Sequence, residues 1–142
     1  MIRKFGTAHW EGSFKKGRGE VSTESGVLDA AAYGFTRRFE GEPGSNPEEL
    51  IGAAHAACFA MALSLNLGED NLTADAIDAR STISLTEAEG GGFEISKAHL
   101  EVTAKVPGAS EEIFAKAAEA TKTGCPVSKV LNCEITMDAK LL

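Results

Sequence analysis

The sequence predicts an α+β fold with antiparallel sheet, and three observations predict it. Residues 50–67 are apolar almost throughout and on every side, which is the pattern of a buried helix. The segments before and after that run alternate apolar and polar residues with the period of two that marks strands. The strand-like segments come in runs rather than alternating one by one with helices, which argues against a parallel α/β sheet. One all-apolar helix and a few strands give too little cover within one subunit, so a homodimer that buries the helix on all sides is expected.

Taken in order, residues 2–13 are expected as a strand with Trp10 as an apolar anchor, and Phe14 follows as a second. Lys16-Gly17-Arg18-Gly19 is a turn. Residues 20–23 and 27–31 are expected as further strand, broken at Ser25-Gly26. Residues 33–40 alternate, with Phe35, Arg37 and Phe39 on one side and Thr36, Arg38 and Glu40 on the other, which predicts another strand. Gly41-Glu42-Pro43-Gly44 turns the chain into the central helix. There Ser45 or Asn46 can cap the free amides, and Pro47 suits the first position. Glu48 and Glu49 complement the helix dipole, and Gly68 is the expected stop.

Beyond it, Ile77, Ala79, Ser81, Ile83 and Leu85 share one face of a strand. Gly90-Gly91-Gly92 marks a hairpin tip, and Leu100, Val102, Ala104 and Val106 form the apolar face of the return strand. Ser110 caps a second helix that breaks at Thr123-Gly124. Cys125-Pro126 opens a short helix to about Leu131, and a last strand carries Cys133, Ile135, Met137, Ala139 and Leu141 on one face.

The totals exclude several functions. A chain of 142 residues with 43% hydrophobic and 25% charged residues fits one domain, 1–142, of ordinary globular composition. A net charge of −7 argues against nucleic acid or an anionic membrane surface as partner. The central run is just long enough to span a bilayer. However, Glu48, Glu49, Glu69 and Asp70 abut its ends, His55, Ser64 and Asn66 interrupt it, and seven of its 18 residues are Ala or Gly. A membrane span is therefore not expected. No apolar stretch follows Met1-Ile2-Arg3-Lys4-Phe5-Gly6, so a cytosolic location is expected. Three widely spaced cysteines without a CxxC make no disulfide framework.

Three kinds of residue could carry chemistry: cysteine, histidine and arginine. Cys58 lies mid-helix, where a small buried hydrophobe is the ordinary occupant; reactivity there needs a cation from elsewhere in the fold. Cys125 sits at the N-cap of a short helix, where free amides favour a thiolate, although a plain turn cysteine fits too. Cys133 lies on an apolar strand face and reads as structural. His55 shares a helical face with Cys58, which suits a hydrogen-bonded core histidine, a Cys–His hydrolase pair or two metal ligands; no second close ligand pair completes a zinc site. Arg38 suits a solvated strand charge. No Gly-rich phosphate loop follows a strand, so no nucleotide site is expected.

Three segments in combination resemble the OsmC/Ohr family: Tyr33-Gly34-Phe35-Thr36-Arg37-Arg38-Phe39-Glu40-Gly41, Asn46-Pro47-Glu48-Glu49-Leu50 through Ala57-Cys58-Phe59, and Gly124-Cys125-Pro126-Val127-Ser128. The Trp10 segment and Val21-Ser22-Thr23-Glu24-Ser25-Gly26-Val27-Leu28 look like the OsmC-type rather than the Ohr-type members. The resemblance spans essentially the whole chain. It implies an intertwined homodimer with sheets wrapped around two long central helices. It also implies a thiol-dependent peroxidase that reduces organic hydroperoxides and is recycled by an external dithiol of dihydrolipoyl type, without metal or bound cofactor. By the same resemblance Cys58 matches the peroxidatic cysteine, Cys125 the resolving cysteine that would form a disulfide with it, Glu48 the acidic partner, and Arg38 the arginine of OsmC-type members, with Arg37 adjacent. A non-enzymatic binder of an apolar ligand at the dimer interface and the Cys–His hydrolase are the competing classes.

Overall fold

The computed structural model describes residues 1–142, and the chain divides into two compact units, Met1–Leu50 and Ile51–Leu142. In the first, β1 (Gly6–Glu11), β2 (Arg18–Thr23) and β3 (Ala31–Tyr33) form an antiparallel sheet in the order β1-β2-β3. Gly19 pairs with both Trp10 and Tyr33, and a Cβ there would stand 2.5 Å from the Tyr33 ring. Its absence lets the two rings meet over the strand, with centroids 5.6 Å apart. The strand expected over 27–31 fails: residues 27–30 form bends, and β3 begins only at Ala31. Gly26 (φ 76°) and Ala30 (φ 52°) both take the left-handed conformation, which breaks a ladder.

Residues 33–40 do not form the expected strand. After Gly34 the chain coils into a short helix, α1 (Phe35–Phe39), closed by the Arg38 amide on the Gly34 carbonyl (3.0 Å). Phe35 and Phe39 stack in it at 4.9 Å between centroids, and Phe14 packs edge-on to both. Residues four apart share a face in a helix and in a strand alike. The aromatic pair therefore fitted both periods, and the Phe14 contact favours the helical one.

The long helix α2 (Pro47–Glu69) starts as expected: Asn46 Oδ1 accepts the Glu49 amide (2.8 Å) while Asn46 Nδ2 donates to the Glu49 carboxylate (3.1 Å). It runs one residue past Gly68. The chain turns out at Asn71 (φ 56°), and the Leu72 amide returns to the Leu67 carbonyl (3.0 Å). A helix carries the left-handed residue after its end, so Gly68 is helical and Asn71 provides the stop.

In the second unit, β4 (Ala76–Glu87) and β5 (Phe93–Lys105) form an antiparallel hairpin, with a register shift at Ser84/Leu85. The chain then crosses over through α3 (Glu111–Gly124) and α4 (Pro126–Val130) to β6 (Glu134–Leu141). β6 lies parallel to β5, so the sheet expected to be antiparallel is mixed at this strand. The two intervening helices provide the crossover that a parallel pair requires. The register stacks the apolar faces: Ile77 on Ala104, Ala79 on Val102, and Met137 beside Leu100. Phe59, Leu63 and Leu67 of α2 meet Leu100, Val102 and Ala104 of β5 and Phe114, Ala117 and Ala118 of α3 in one buried core. Each large side chain there stabilises the unit by about 1.5–3 kcal/mol.

Within the chain α2 is buried on one face only, along Gly52, His55, Phe59, Leu63 and Leu67. Gly52 is needed on that face because a Cβ would lie 2.7 Å from the Ser81 carbonyl oxygen of β4. On another side Met61 and Leu65 are 79% and 71% exposed, and Ala53, Ala54 and Ala57 are exposed with them. By length and composition this helix could cross a membrane.

Candidate active site

Each unit positions one constellation. In the first, α1 turns Arg38 towards the start of α2, where Glu48 stands in the first turn. The two form a fork: Arg38 Nε donates to both Glu48 oxygens (3.2 and 3.1 Å) and Nη2 to Oε1 (2.6 Å). Glu48 is 12% exposed at its side chain and Arg38 32%, so the pair is shielded more than a surface ion pair. The guanidinium also lies over the Phe39 ring, 5.3 Å from its centroid. Trp10, Phe14, Tyr33, Phe35, Arg38 and Phe39 line a largely aromatic cavity of about 180 Å³ here. Arg37 is engaged differently. Its Nε donates to the Pro43 carbonyl (3.1 Å) and its Nη2 approaches Glu42 (3.8 Å). A Cβ at Gly44 would collide with its side chain. Arg37 thus secures the turn before α2, and of the two arginines Arg38 pairs with Glu48.

In the second unit the two thiols expected to react meet around the start of α4. Cys125 caps that helix: its Sγ accepts the Ser128 amide (3.3 Å) and lies 3.0 Å from the Ser128 hydroxyl. Cys58, in the middle of α2, lies near enough to the Val127 amide and the Cys125 thiol for both to act on its ionisation. Burial pushes the Cys58 thiol pKa up, the Val127 amide offsets this in part, and the neighbouring Cys125 thiol adds to the rise. The groups acting on Cys58 from this unit include no cation.

The two thiols differ in access: Cys125 is 1% exposed, whereas Cys58 is partly open. The N-cap position favours a thiolate at Cys125, but burial shields its sulfur from anything in solution. Cys133, before β6, contacts the Ala98 backbone, and burial raises its pKa. No three His, Cys, Asp or Glu side chains gather as a metal site.

His55 is fully buried with both ring nitrogens engaged, Nδ1 with the Ser81 hydroxyl (2.7 Å) and Nε2 with the Ser128 hydroxyl (2.8 Å). It is the hydrogen-bonded core histidine expected, and neither nitrogen is left for Cys58, as a hydrolase pair would need. Ser81 and Ser128 were not singled out from sequence. For Ser128 a local signal exists, since it lies three residues after the capping Cys125, where a helix returns its amide to the cap. Ser81 carries none, because it reaches His55 only through the packing of β4 on α2.

The description "OsmC-like protein" belongs to a family model that matches residues 39–140. The chain is 55% identical over 140 residues to the Peroxiredoxin OsmC of Escherichia coli (strain K12), covering 99% of this chain and 97% of that one. It is 30% identical over 125 residues to the Organic hydroperoxide resistance protein OhrB of Bacillus subtilis (strain 168), covering 86% and 89%. The crystal structure of the Bacillus subtilis OhrB is similar with a TM-score of 0.71 and 26% identity, covering 96% of this chain and 98% of that chain.

Proposed function

Because the chain belongs to the OsmC/Ohr family, we propose that it is a thiol peroxidase that reduces organic hydroperoxides to alcohols. The observation that carries this reading is the nearness of the Cys58 and Cys125 thiols within one chain, close enough that Cys125 acts on the ionisation of Cys58. The Cys58 thiolate attacks the O–O bond, leaving a sulfenic acid and releasing an alcohol. Cys125 then condenses with the sulfenic acid, forming a disulfide and water, which protects Cys58 from further oxidation. An external dithiol, dihydrolipoyl in type, reduces the disulfide in a reducing cytosol.

Burial disfavours the Cys58 thiolate, so the reaction needs a cation. Arg38, held in place by the Glu48 fork, is that cation; it lowers the thiol pKa and stabilises the departing alkoxide. The aromatic lining beside Arg38 suits the alkyl or aryl part of an organic hydroperoxide. We assign the exposed apolar stripe of α2, with Met61 and Leu65 among small alanines, to a homodimer interface. Covering this stripe is the remaining requirement of a helix apolar on all sides.

Peroxide consumption by single-cysteine variants tests the assignment. Cys58→Ser is expected to abolish the reaction. Cys125→Ser is expected to allow at most one turnover, ending in sulfinic acid, and Cys133→Ser to leave turnover intact. Equal loss of the first turnover in Cys58→Ser and Cys125→Ser would contradict it.

A further inference from the structure

Resting on the two-cysteine reading above, we infer that Ser128 and His55 form a proton relay that deprotonates Cys125 for its attack on the Cys58 sulfenic acid. Ser128 touches the reacting sulfur and is a catalytic residue; His55 acts through it and is a positioning residue. Three consecutive hydrogen bonds run from Ser81 Oγ to His55 Nδ1 (2.7 Å), from His55 Nε2 to Ser128 Oγ (2.8 Å), and from Ser128 Oγ to Cys125 Sγ (3.0 Å). His55, Ser128 and Cys125 are 0%, 5% and 1% exposed.

One tautomer aligns the whole chain. With the proton on Nδ1, His55 donates to Ser81, its Nε2 lone pair accepts the Ser128 hydroxyl proton, and the Ser128 oxygen is free to accept from the Cys125 thiol. A core histidine needs only two partners, and any two hydroxyls would satisfy it. Here the chain ends on the thiol that must lose a proton and that solvent does not reach. Burial also holds the imidazole pKa below its ordinary value, keeping it neutral and able to accept. The Ser128 amide remains on the sulfur as the thiolate forms.

The step balances. The Cys125 proton passes to Ser128 Oγ as the Ser128 proton passes to His55 Nε2, giving a transient imidazolium. The Cys125 thiolate attacks the Cys58 sulfur; the S–S bond forms and the S–OH bond breaks, with Cys125 oxidised and Cys58 reduced. Hydroxide leaves and takes the imidazolium proton back through Ser128, emerging as water.

The two chemical steps can be timed separately. Reduced protein is mixed with one equivalent of cumene hydroperoxide; peroxide loss reports the first step, and acid-quenched mass spectrometry of the Cys58–Cys125 disulfide reports the second. Ser128→Ala is expected to keep the first step near the wild-type rate and slow the second about 100-fold, at the low end of what a positioned base contributes. Sulfinic acid should then accumulate at Cys58 under excess peroxide. Ser128→Thr should restore the second step, and His55→Gln, which hydrogen-bonds but does not take up a proton, should slow it like Ser128→Ala. If His55→Gln does not fold, the two Ser128 variants decide alone. A wild-type second step in Ser128→Ala, a parallel slowing of both steps, or no rescue by Ser128→Thr overturns the relay and leaves the peroxidase reading standing. A wild-type protein that forms no Cys58–Cys125 bond overturns both.

Discussion

Every fully buried apolar side chain, from Phe59 to Cys125, lies in residues 51–142, whereas residues 1–50 fully bury none. The first unit instead holds the Arg38–Glu48 fork against a partly exposed aromatic cluster. The second unit holds both reactive thiols against a dry core, where burial raises the Cys58 pKa. The contrast sets apart what each unit brings to the proposed chemistry. A buried thiol has an apolar setting and a resolving partner but lacks a cation; a shielded guanidinium has charge and a carboxylate anchor but no nucleophile.

The largest effect that could break this division is at the cation. Arg38→Ala is expected to slow the first step about 100-fold, in the range for removing a group that stabilises transition-state charge. It should also raise the Cys58 pKa, read from the pH dependence of iodoacetamide alkylation. A thiol whose charged form loses support needs higher pH to ionise, so the alkylation midpoint moves up. Arg37→Ala should leave the midpoint in place, because Arg37 is spent on the Pro43 carbonyl and Glu42. The opposite pattern would move the role to Arg37.

The next effect separates the two faces of α2. Phe59→Ala removes a fully buried ring and should cost about 3–5 kcal/mol in denaturant unfolding. Leu65→Asp changes a side chain that is exposed in its own chain and should instead convert a dimer to monomer in sedimentation. A Leu65→Asp variant that stays dimeric would remove this helix face from the proposed interface.

The smallest effect is at His55. Its pKa is lowered by burial in the folded chain, so at acid pH the unfolded chain binds the extra proton. The associated stability is fully present above the unfolded pKa of about 6.5 and is lost as pH falls below it. The drop in melting temperature between neutral pH and pH of about 5.5 should therefore be smaller in His55→Gln than in the wild type.

Much of this was legible in the sequence where one local pattern admitted one structure. The hairpin of β4 and β5, the Ser110 cap of α3 and the Cys125 cap of α4 follow from period-two faces and cap chemistry. Legibility failed where a pattern had two readings, as at Phe35 and Phe39, whose spacing suits both helix and strand. It failed again where the deciding contact was distant. The direction of β6 depends on the crossover through α3 and α4. The choice of Arg38 over Arg37 rests on a carboxylate ten residues on, and the serines flanking His55 come from β4 and α4.

The central claim is that the two thiols react with each other within one chain. A disulfide needs α-carbons within about 7 Å, and the Cys125 thiol lies near enough to Cys58 to act on its ionisation. One equivalent of cumene hydroperoxide is added to the reduced protein, which is then digested without reductant and analysed by mass spectrometry. The account predicts a Cys58–Cys125 linkage within a single chain. Cys58 sulfinic acid as the only product, or a Cys125–Cys133 bond, would contradict it.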